Sequence, residues 1–275
     1  MLMALMTWGQ TTILTKTTRS RLAVIITAAG SSTRIGGGIK KEYLPYKEGT
    51  VLSACASVFL TADYKDAGME LAVLVVTCPA GSEEAARAAL YADPAFRDKL
   101  GTVPLIIREG GASRQASVFE GLRAVKDGCG PVDYVLIHDG ARPFVSGELV
   151  CSVAQAAARY GAAVPGLIPT DTQKEVDADG FVVRHLVRSS LAAVQTPQGF
   201  DFRRLYEAHC KAALSVHSAQ ADGSAGTTDA AAPRREFTDD TEIWGEFCGA
   251  VKVVPGESAN IKITYPSDLE KLEKL

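Results

Sequence analysis

Arg21-Leu22-Ala23-Val24-Ile25-Ile26-Thr27-Ala28-Ala29-Gly30-Ser31-Ser32-Thr33-Arg34 is the stretch that decides the fold. Its first half, Leu22 to Ala28, is a continuous apolar, β-branched run. A strand with one wet face alternates apolar and polar residues. A continuous run suits a strand covered on both faces, as in a parallel sheet packed between helices. The second half is small residues ending in a cation. It falls where ligands bind in such sheets, outside the carboxyl end of a strand.

Outward from this stretch the pattern repeats. Val51 to Leu60 reads as a helix, Leu71 to Thr77 as a buried strand, and Ser82 to Tyr91 as a helix with Ser82 as its N-cap and acids in the first turn. Leu105 to Arg108 is a short strand, Ser113 to Val125 a helix opened by a serine, Tyr134 to His138 a buried strand and Gly147 to Tyr160 an alanine-rich helix. Strands alternating with helices imply βαβ units and a mostly parallel sheet with right-handed crossovers. The rhythm then changes. Lys174 to Val183 carries two short runs around Asp177-Ala178-Asp179-Gly180, a hairpin signal. Residues 168–188 are therefore expected to form a β-arm whose open edges need cover, and a partner subunit is one candidate. Residues 215–233 are rich in Ala, Ser, Gly and Thr without apolar periodicity, and read as a flexible insertion. The end reads as strands at Ala250–Val254 and Asn260–Thr264 and a helix from Ser267.

The 275 residues favour one large α/β domain, expected over 21–275. With 47% hydrophobic and 22% charged residues and a formal net charge of -3, the chain has no global basic field that would point to nucleic acid. The six cysteines show no C-x-x-C spacing and read as reduced, mostly buried thiols. No apolar run reaches the ~20 residues of a membrane span. Residues 1–20 lack acids and are expected to be a disordered extension, with a weak likeness to an organelle transit peptide. The localisation expected is cytoplasmic.

Three clusters carry chemistry. The first is Ala28-Ala29-Gly30-Ser31-Ser32-Thr33-Arg34, with Lys40-Lys41 beyond it. Small residues let backbone N–H groups approach phosphates, and the three cations suit a triphosphate. The cluster is neither a P-loop nor a dinucleotide fingerprint, and by itself it reads equally as a strand-to-helix turn. The second is Gly110-Gly111-Ala112-Ser113-Arg114-Gln115-Ala116-Ser117, a loop running into a helix cap. The third is His138-Asp139-Gly140-Ala141-Arg142-Pro143. There Asp139 is placed to hold Mg²⁺ bridging phosphates, and Arg142 can present a bidentate fork. A surface ion pair is the plainer reading of that Asp and Arg, and His138 reads as structural.

These clusters resemble a family. The small-residue loop, Arg34 and Lys41-Glu42-Tyr43-Leu44 resemble the signature of sugar-phosphate nucleotidyltransferases, with Lys40 where many members have proline. Gly111 and Ser117 match the Gly-Gly-x-x-Arg-x-x-Ser segment of the 2-C-methyl-D-erythritol 4-phosphate cytidylyltransferases of the non-mevalonate isoprenoid pathway. Ala112 stands where that family often has an acid. His138 to Pro143 differs from the family's His-Asp-Ala-Ala-Arg-Pro only at Gly140. Asp171-Thr172 with Lys174, then Arg188, Thr196-Pro197-Gln198-Gly199-Phe200, Thr238-Asp239-Asp240 and Asn260-Ile261-Lys262-Ile263-Thr264 follow in the family's order.

The resemblance implies a Rossmann-like nucleotidyltransferase fold with an inserted β-hairpin arm. It also implies transfer of a cytidylyl group from CTP to methylerythritol phosphate, with release of pyrophosphate and a divalent cation such as Mg²⁺. By the same resemblance Arg34, Lys41, Arg188 and Lys262 are catalytic. Ala28, Ala29, Gly30, Gly111, Ala112, Ser117 and Asp139 bind CTP, with Asp139 holding the metal. Arg142, Thr172, Thr196 and Thr238 meet the substrate. A homodimer is expected through the arm, so that Thr172 and Arg188 serve the neighbouring site. No second enzyme segment is expected to follow, and no nucleic acid or membrane partner. The alternatives are a ribitol 5-phosphate cytidylyltransferase, a uridylyl- or guanylyltransferase, and a non-catalytic nucleotide binder.

Overall fold

The computed structural model describes residues 19–32, 40–221 and 237–270. The opening stretch forms strand β1 (Ser20–Thr27), whose residues from Leu22 to Ile26 are wholly buried. Ser20, assigned from sequence to the N-terminal extension, is already paired with Met69, while residues 1–18 lie outside the described residues. A small hairpin of β2 (Pro45–Tyr46) and β3 (Gly49–Thr50) leads into α1 (Val51–Thr61). Then come β4 (Met69–Cys78), α2 (Glu83–Tyr91), α3 (Phe96–Leu100), β5 (Leu105–Glu109), α4 (Arg114–Gly128), β6 (Tyr134–Asp139) and α5 (Gly147–Tyr160).

The second half adds β7 (Ala162–Leu167), the hairpin β8 (Lys174–Val176) and β9 (Val182–His185), then β10 (Ala193–Val194), β11 (Gln198–Asp201), α6 (Phe202–Ala221), α7 (Asp240–Phe247) and β12 (Lys252–Pro255). One sheet has the order β10-β7-β11-β6-β1-β4-β5, with β12 also paired to β7. Its pairings are parallel except those made by β10 and β11. The mostly parallel α/β architecture read from the sequence is therefore present.

Alternation along β1 explains why the run is continuous. Leu22, Val24 and Ile26 pack with Leu52 and Phe59 of α1 and Val150 and Val153 of α5. Ala23 and Ile25 pack with Val118, Leu122 and Val125 of α4, Leu205 of α6 and Trp244 of α7. Each face of the sheet thus has its own helical layer, and every side chain from Leu22 to Ile26 is removed from water. At about 25 cal/mol per Å² of apolar surface buried, this is the main favourable term of the fold.

Several boundaries differ from the sequence reading. Ser82 stands at the N-cap of α2, but its side chain makes no capping hydrogen bond; Ser113 caps α4 by accepting from Ala116 N at 3.1 Å. The 215–233 insertion is helical at its start, since α6 runs to Ala221, and 222–236 lie outside the described residues. Asn260 to Thr264 is not a strand. It crosses the ends of the sheet as irregular chain, held by Ile263 N donating to Ala141 O at 2.8 Å. The expected terminal helix opens with a 3-10 turn at Pro266–Asp268, and 271–275 are outside the described residues. The sequence reading does not contain β7, β10 or β11: β10 and β11 have only two and four residues, and β7 and β11 carry Pro or Gly within them. The cysteines are all free, but only Cys55 and Cys78 are buried.

Candidate active site

Three loops meet at the carboxyl ends of β1, β5 and β6. β1 continues into Ala28 to Ser32, with Ala28 N bonded to Thr77 O at 2.9 Å. β5 continues into Gly110 to Ser113 and the start of α4. A Cβ on Gly110 would lie 2.5 Å from Ala29 Cβ and 2.7 Å from Ser117 Oγ, so the first two loops touch where only glycine fits. A Cβ on Gly111 would sit 2.4 Å from that of Ala116. β6 ends on Asp139, opposite Thr27 of β1. Between the loops lies a cleft of about 480 Å³.

Small residues form one wall of the cleft: Ala29, Gly30, Gly111, Ala112 and Ser117. Lys41, Arg114, Lys262, Glu42 and Asp139 supply its charges. The first turn of α4 also opens onto it, adding backbone N–H groups and the positive end of a helix dipole. Lys262 and Lys41 arrive by different routes. The irregular segment carrying Lys262 is pinned by Arg142 Nη1 donating to Asn260 O at 2.7 Å and Asn260 Nδ2 donating to Thr196 O at 2.8 Å. Lys41 Nζ donates to Ile263 O at 2.9 Å, which ties the two lysine-bearing segments together.

Asp139 is the electrostatic centre. Its Oδ2 lies 2.8 Å from Lys262 Nζ and 3.4 Å from Arg142 Nε, and its Oδ1 lies 3.6 Å from Arg114 Nε. Burial alone would raise its pKa. The charges of Lys262, Arg114 and Arg142 outweigh burial and hold the carboxyl far below the ordinary range. Behind it, His138 is fully buried, with Nδ1 3.0 Å from Thr196 Oγ1 and Nε2 3.2 Å from Arg142 O. Burial lowers the His138 pKa to about 4, against a smaller upward pull from Asp139, so the ring is neutral and structural.

Among the described residues, no group of three or more His, Cys, Asp or Glu side chains is placed to hold a metal. Mg²⁺ commonly takes one or two carboxylates and completes its shell with substrate phosphates and water. Two carboxylates line the cleft, Asp139 paired with Lys262 at 2.8 Å and Glu42 paired with Lys40 at 3.3 Å; Asp139, at the carboxyl end of β6 where the three loops meet, is placed as that single carboxylate.

The family model of 2-C-methyl-D-erythritol 4-phosphate cytidylyltransferase matches residues 22–275. The chain belongs to that family. It is 33% identical over 251 residues to the 2-C-methyl-D-erythritol 4-phosphate cytidylyltransferase of Clostridium beijerinckii, covering 90% of this chain and 95% of that one. It is 36% identical over 256 residues to a bifunctional enzyme IspD/IspF of Clavibacter michiganensis, of which it spans 54%. Among solved structures, the 2-C-methyl-D-erythritol 4-phosphate cytidylyltransferase of Thermus thermophilus superposes with a TM-score of 0.63 at 32% identity, covering 92% of this chain and 97% of that one. The 4-diphosphocytidyl-2C-methyl-D-erythritol synthase of Anaerococcus prevotii superposes with a TM-score of 0.68 at 27% identity, covering 93% and 95%.

Against the family pattern, the structure gathers Ala29, Gly30, Lys41, Gly111, Ala112, Ser117, Asp139 and Lys262 around one cleft. Ala28 is buried just behind it. Lys41 lines the cleft, while Lys40 turns back to donate to Gly30 O at 2.6 Å. Arg34 lies outside the described residues.

The expected substrate residues are placed differently. Arg142 is bound to Asp139 and Asn260 and works as a clip. Thr196 is buried, and its hydroxyl accepts from Asp139 N at 3.1 Å, so it supports Asp139 from behind the cleft wall. Thr238 is exposed and bonds Glu242 at the start of α7. Thr172 and Arg188 are exposed at the base of the hairpin, where Arg188 Nη1 donates to Thr170 O at 2.8 Å. Within one chain neither lines the cleft. The sequence reading gave no role to Arg114, Glu42 or Asp240. Arg114 stands inside the quoted Gly-Gly-x-x-Arg motif, but its firmest partner, Asp240, comes from chain 126 residues away.

Proposed function

We propose that the chain transfers a cytidylyl group from CTP to 2-C-methyl-D-erythritol 4-phosphate and releases pyrophosphate. The observation that carries this is the cleft itself: small residues on one wall and Lys41 and Lys262 reaching it from separate segments, beside Asp139. The substrate's phosphate is already a nucleophile, so the protein's task is positioning and neutralisation of charge. Lys41, together with Arg34, stabilises charge on the α-phosphate, and Lys262 reaches the reacting phosphates from the opposite segment. Backbone groups of Ala29, Gly30, Gly111 and Ala112 and the Ser117 hydroxyl hold the base and ribose. Asp139 holds Mg²⁺, which supplies neutralisation of the triphosphate when bound.

Family membership favours methylerythritol phosphate over ribitol phosphate. Arg188 and Thr172 act on a neighbouring subunit's site in a homodimer formed through the β8–β9 arm. In support, Val176, Phe181, Val182 and Val183 on that arm are all exposed in the single chain. No helix among the described residues is long and apolar enough to cross a membrane, in keeping with work in the cytoplasm. The test is pyrophosphate release with CTP and each of methylerythritol phosphate and ribitol 5-phosphate, with UTP and GTP as alternative donors. Turnover confined to CTP with methylerythritol phosphate is expected. Faster turnover with ribitol phosphate, or comparable turnover with UTP, would replace this reading.

A further inference from the structure

Glu42 lies in the 3-10 turn Lys41–Tyr43 and borders the cleft, yet it is only 3% exposed. Its Oε2 lies 3.3 Å from Lys40 Nζ and accepts from Ser32 Oγ at 3.4 Å. These two partners join it to the small-residue loop after β1. Lys40 Nζ also donates to Gly30 O at 2.6 Å, and Lys41 N donates to Ser32 Oγ at 3.3 Å. Gly30 and Lys40 stand ten positions apart in sequence, as do Ser32 and Glu42.

A buried carboxylate is costly unless it is paired, and replacing a buried ion pair with apolar groups is often neutral for stability. Stability alone is therefore a poor reason for Glu42 and Lys40, whose side chains are 4% and 12% exposed. What their bonds share is the place where they converge, between the small-residue loop and the turn that carries Lys41. Ser32 is held at φ +53°, a left-handed conformation that a serine keeps only where its surroundings impose it. Its hydroxyl is used twice there, as donor to Glu42 and as acceptor from the Lys41 N–H. Gly30 has no atom within 4 Å of where a Cβ would stand, so packing does not fix it on that side; the bond from Lys40 does.

We infer that Glu42 and Lys40 are positioning residues that act as one clasp: with Ser32 they tie the small-residue loop to the turn carrying Lys41, and so set the spacing between that wall of the cleft and its lysine. This inference rests on the proposal that CTP fills the cleft. It gives Lys40 a role distinct from that of Lys41, through the loop rather than through contact with the reacting groups.

The test is CTP binding by calorimetry with Lys40→Met, Glu42→Met and the double variant, alongside melting temperatures and the split between KM and kcat. Wild-type binding of CTP checks the underlying reading separately. Each single variant should weaken CTP about tenfold, as for loss of one charged hydrogen bond, and should raise KM for CTP more than it lowers kcat. The double variant should fall within about twofold of either single one, because the two residues act through one pair. Its melting temperature should stay close to that of the wild type, since apolar groups replace both charges at once. Deuterium exchange at the Lys41 amide, measured with no nucleotide present, should quicken in the double variant.

Wild-type affinity in the folded double variant would overturn the proposal, because a merely structural pair can be exchanged for apolar groups without loss of binding. Multiplied losses, approaching about a hundredfold in the double variant, would show that the two residues act separately and would overturn the shared clasp. Should a single variant fail to fold, the double variant carries the test. Unchanged exchange at the Lys41 amide would remove the clasp whether or not CTP binds.

Discussion

At the residue scale, adjacent side chains divide the work. Lys41 lines the cleft and donates to Ile263 O, whereas Lys40 closes onto Gly30 O and Glu42. Lys41→Ala is expected to lower kcat by about two to three powers of ten, as for removal of a preorganised donor, with Arg34→Ala behaving alike. Lys40→Ala should be milder and act mainly on KM. Steady-state kinetics on the folded variants measures the difference. His138 makes a separate prediction about pH. Its folded pKa of about 4 lies below the ordinary 6.5, so the unfolded chain takes up a proton that the native ring refuses. Stability therefore falls as pH drops from 6.5 toward 4, by up to on the order of 3 kcal/mol. Asp139 and Asp240 have depressed pKa values, and their contribution is lost only at still lower pH. Urea unfolding at pH 7, 5.5 and 4.5 should show this slope, and His138→Asn should flatten it.

At the element scale, the close approach of the β1 and β5 loops is the most fragile contact of the site. Gly110→Ala would drive a methyl into the Cβ of Ala29, which cannot move without its backbone, and against the Ser117 side chain. CTP affinity should fall by about tenfold or more, with a small change in melting temperature, since overpacking typically costs about 1–3 kcal/mol. The β8–β9 hairpin makes the opposite case, an element with too little cover. Phe181 is 71% exposed and Val183 58%, and a two-stranded hairpin is marginal alone. The expected homodimer should be seen by light scattering at micromolar concentration, and Phe181→Glu with Val183→Glu should shift it to monomer and reduce turnover. A wild-type monomer would remove the cross-subunit role of Thr172 and Arg188.

At the scale of the whole molecule, chain of very different sequence position meets at Asp139: Lys262, Arg114 and Arg142 bear on it directly, and Thr196 bonds its backbone. Replacing 222–233, beyond the end of α6, with a short Gly-Ser linker should leave CTP affinity unchanged, because changing loop length costs only about 0.6 kcal/mol per doubling. Calorimetry on that variant checks it, and a large loss would give the segment a role in binding. By itself the sequence determined the βαβ rhythm of the first half, the two-sided burial of β1 and the positions of the small-residue loops. Those features depend on local periodicity and on which residues tolerate close backbone approach. It also placed Lys41, Asp139 and Lys262 in one motif order. Only the tertiary structure decided that β11 runs antiparallel between β7 and β6, that Thr196 and Arg142 brace the cleft, and that Arg114 pairs with the buried Asp240. These outcomes depend on contacts between segments more than thirty residues apart. There the geometry of the packed sheet, rather than any local preference, chooses which polar groups pair.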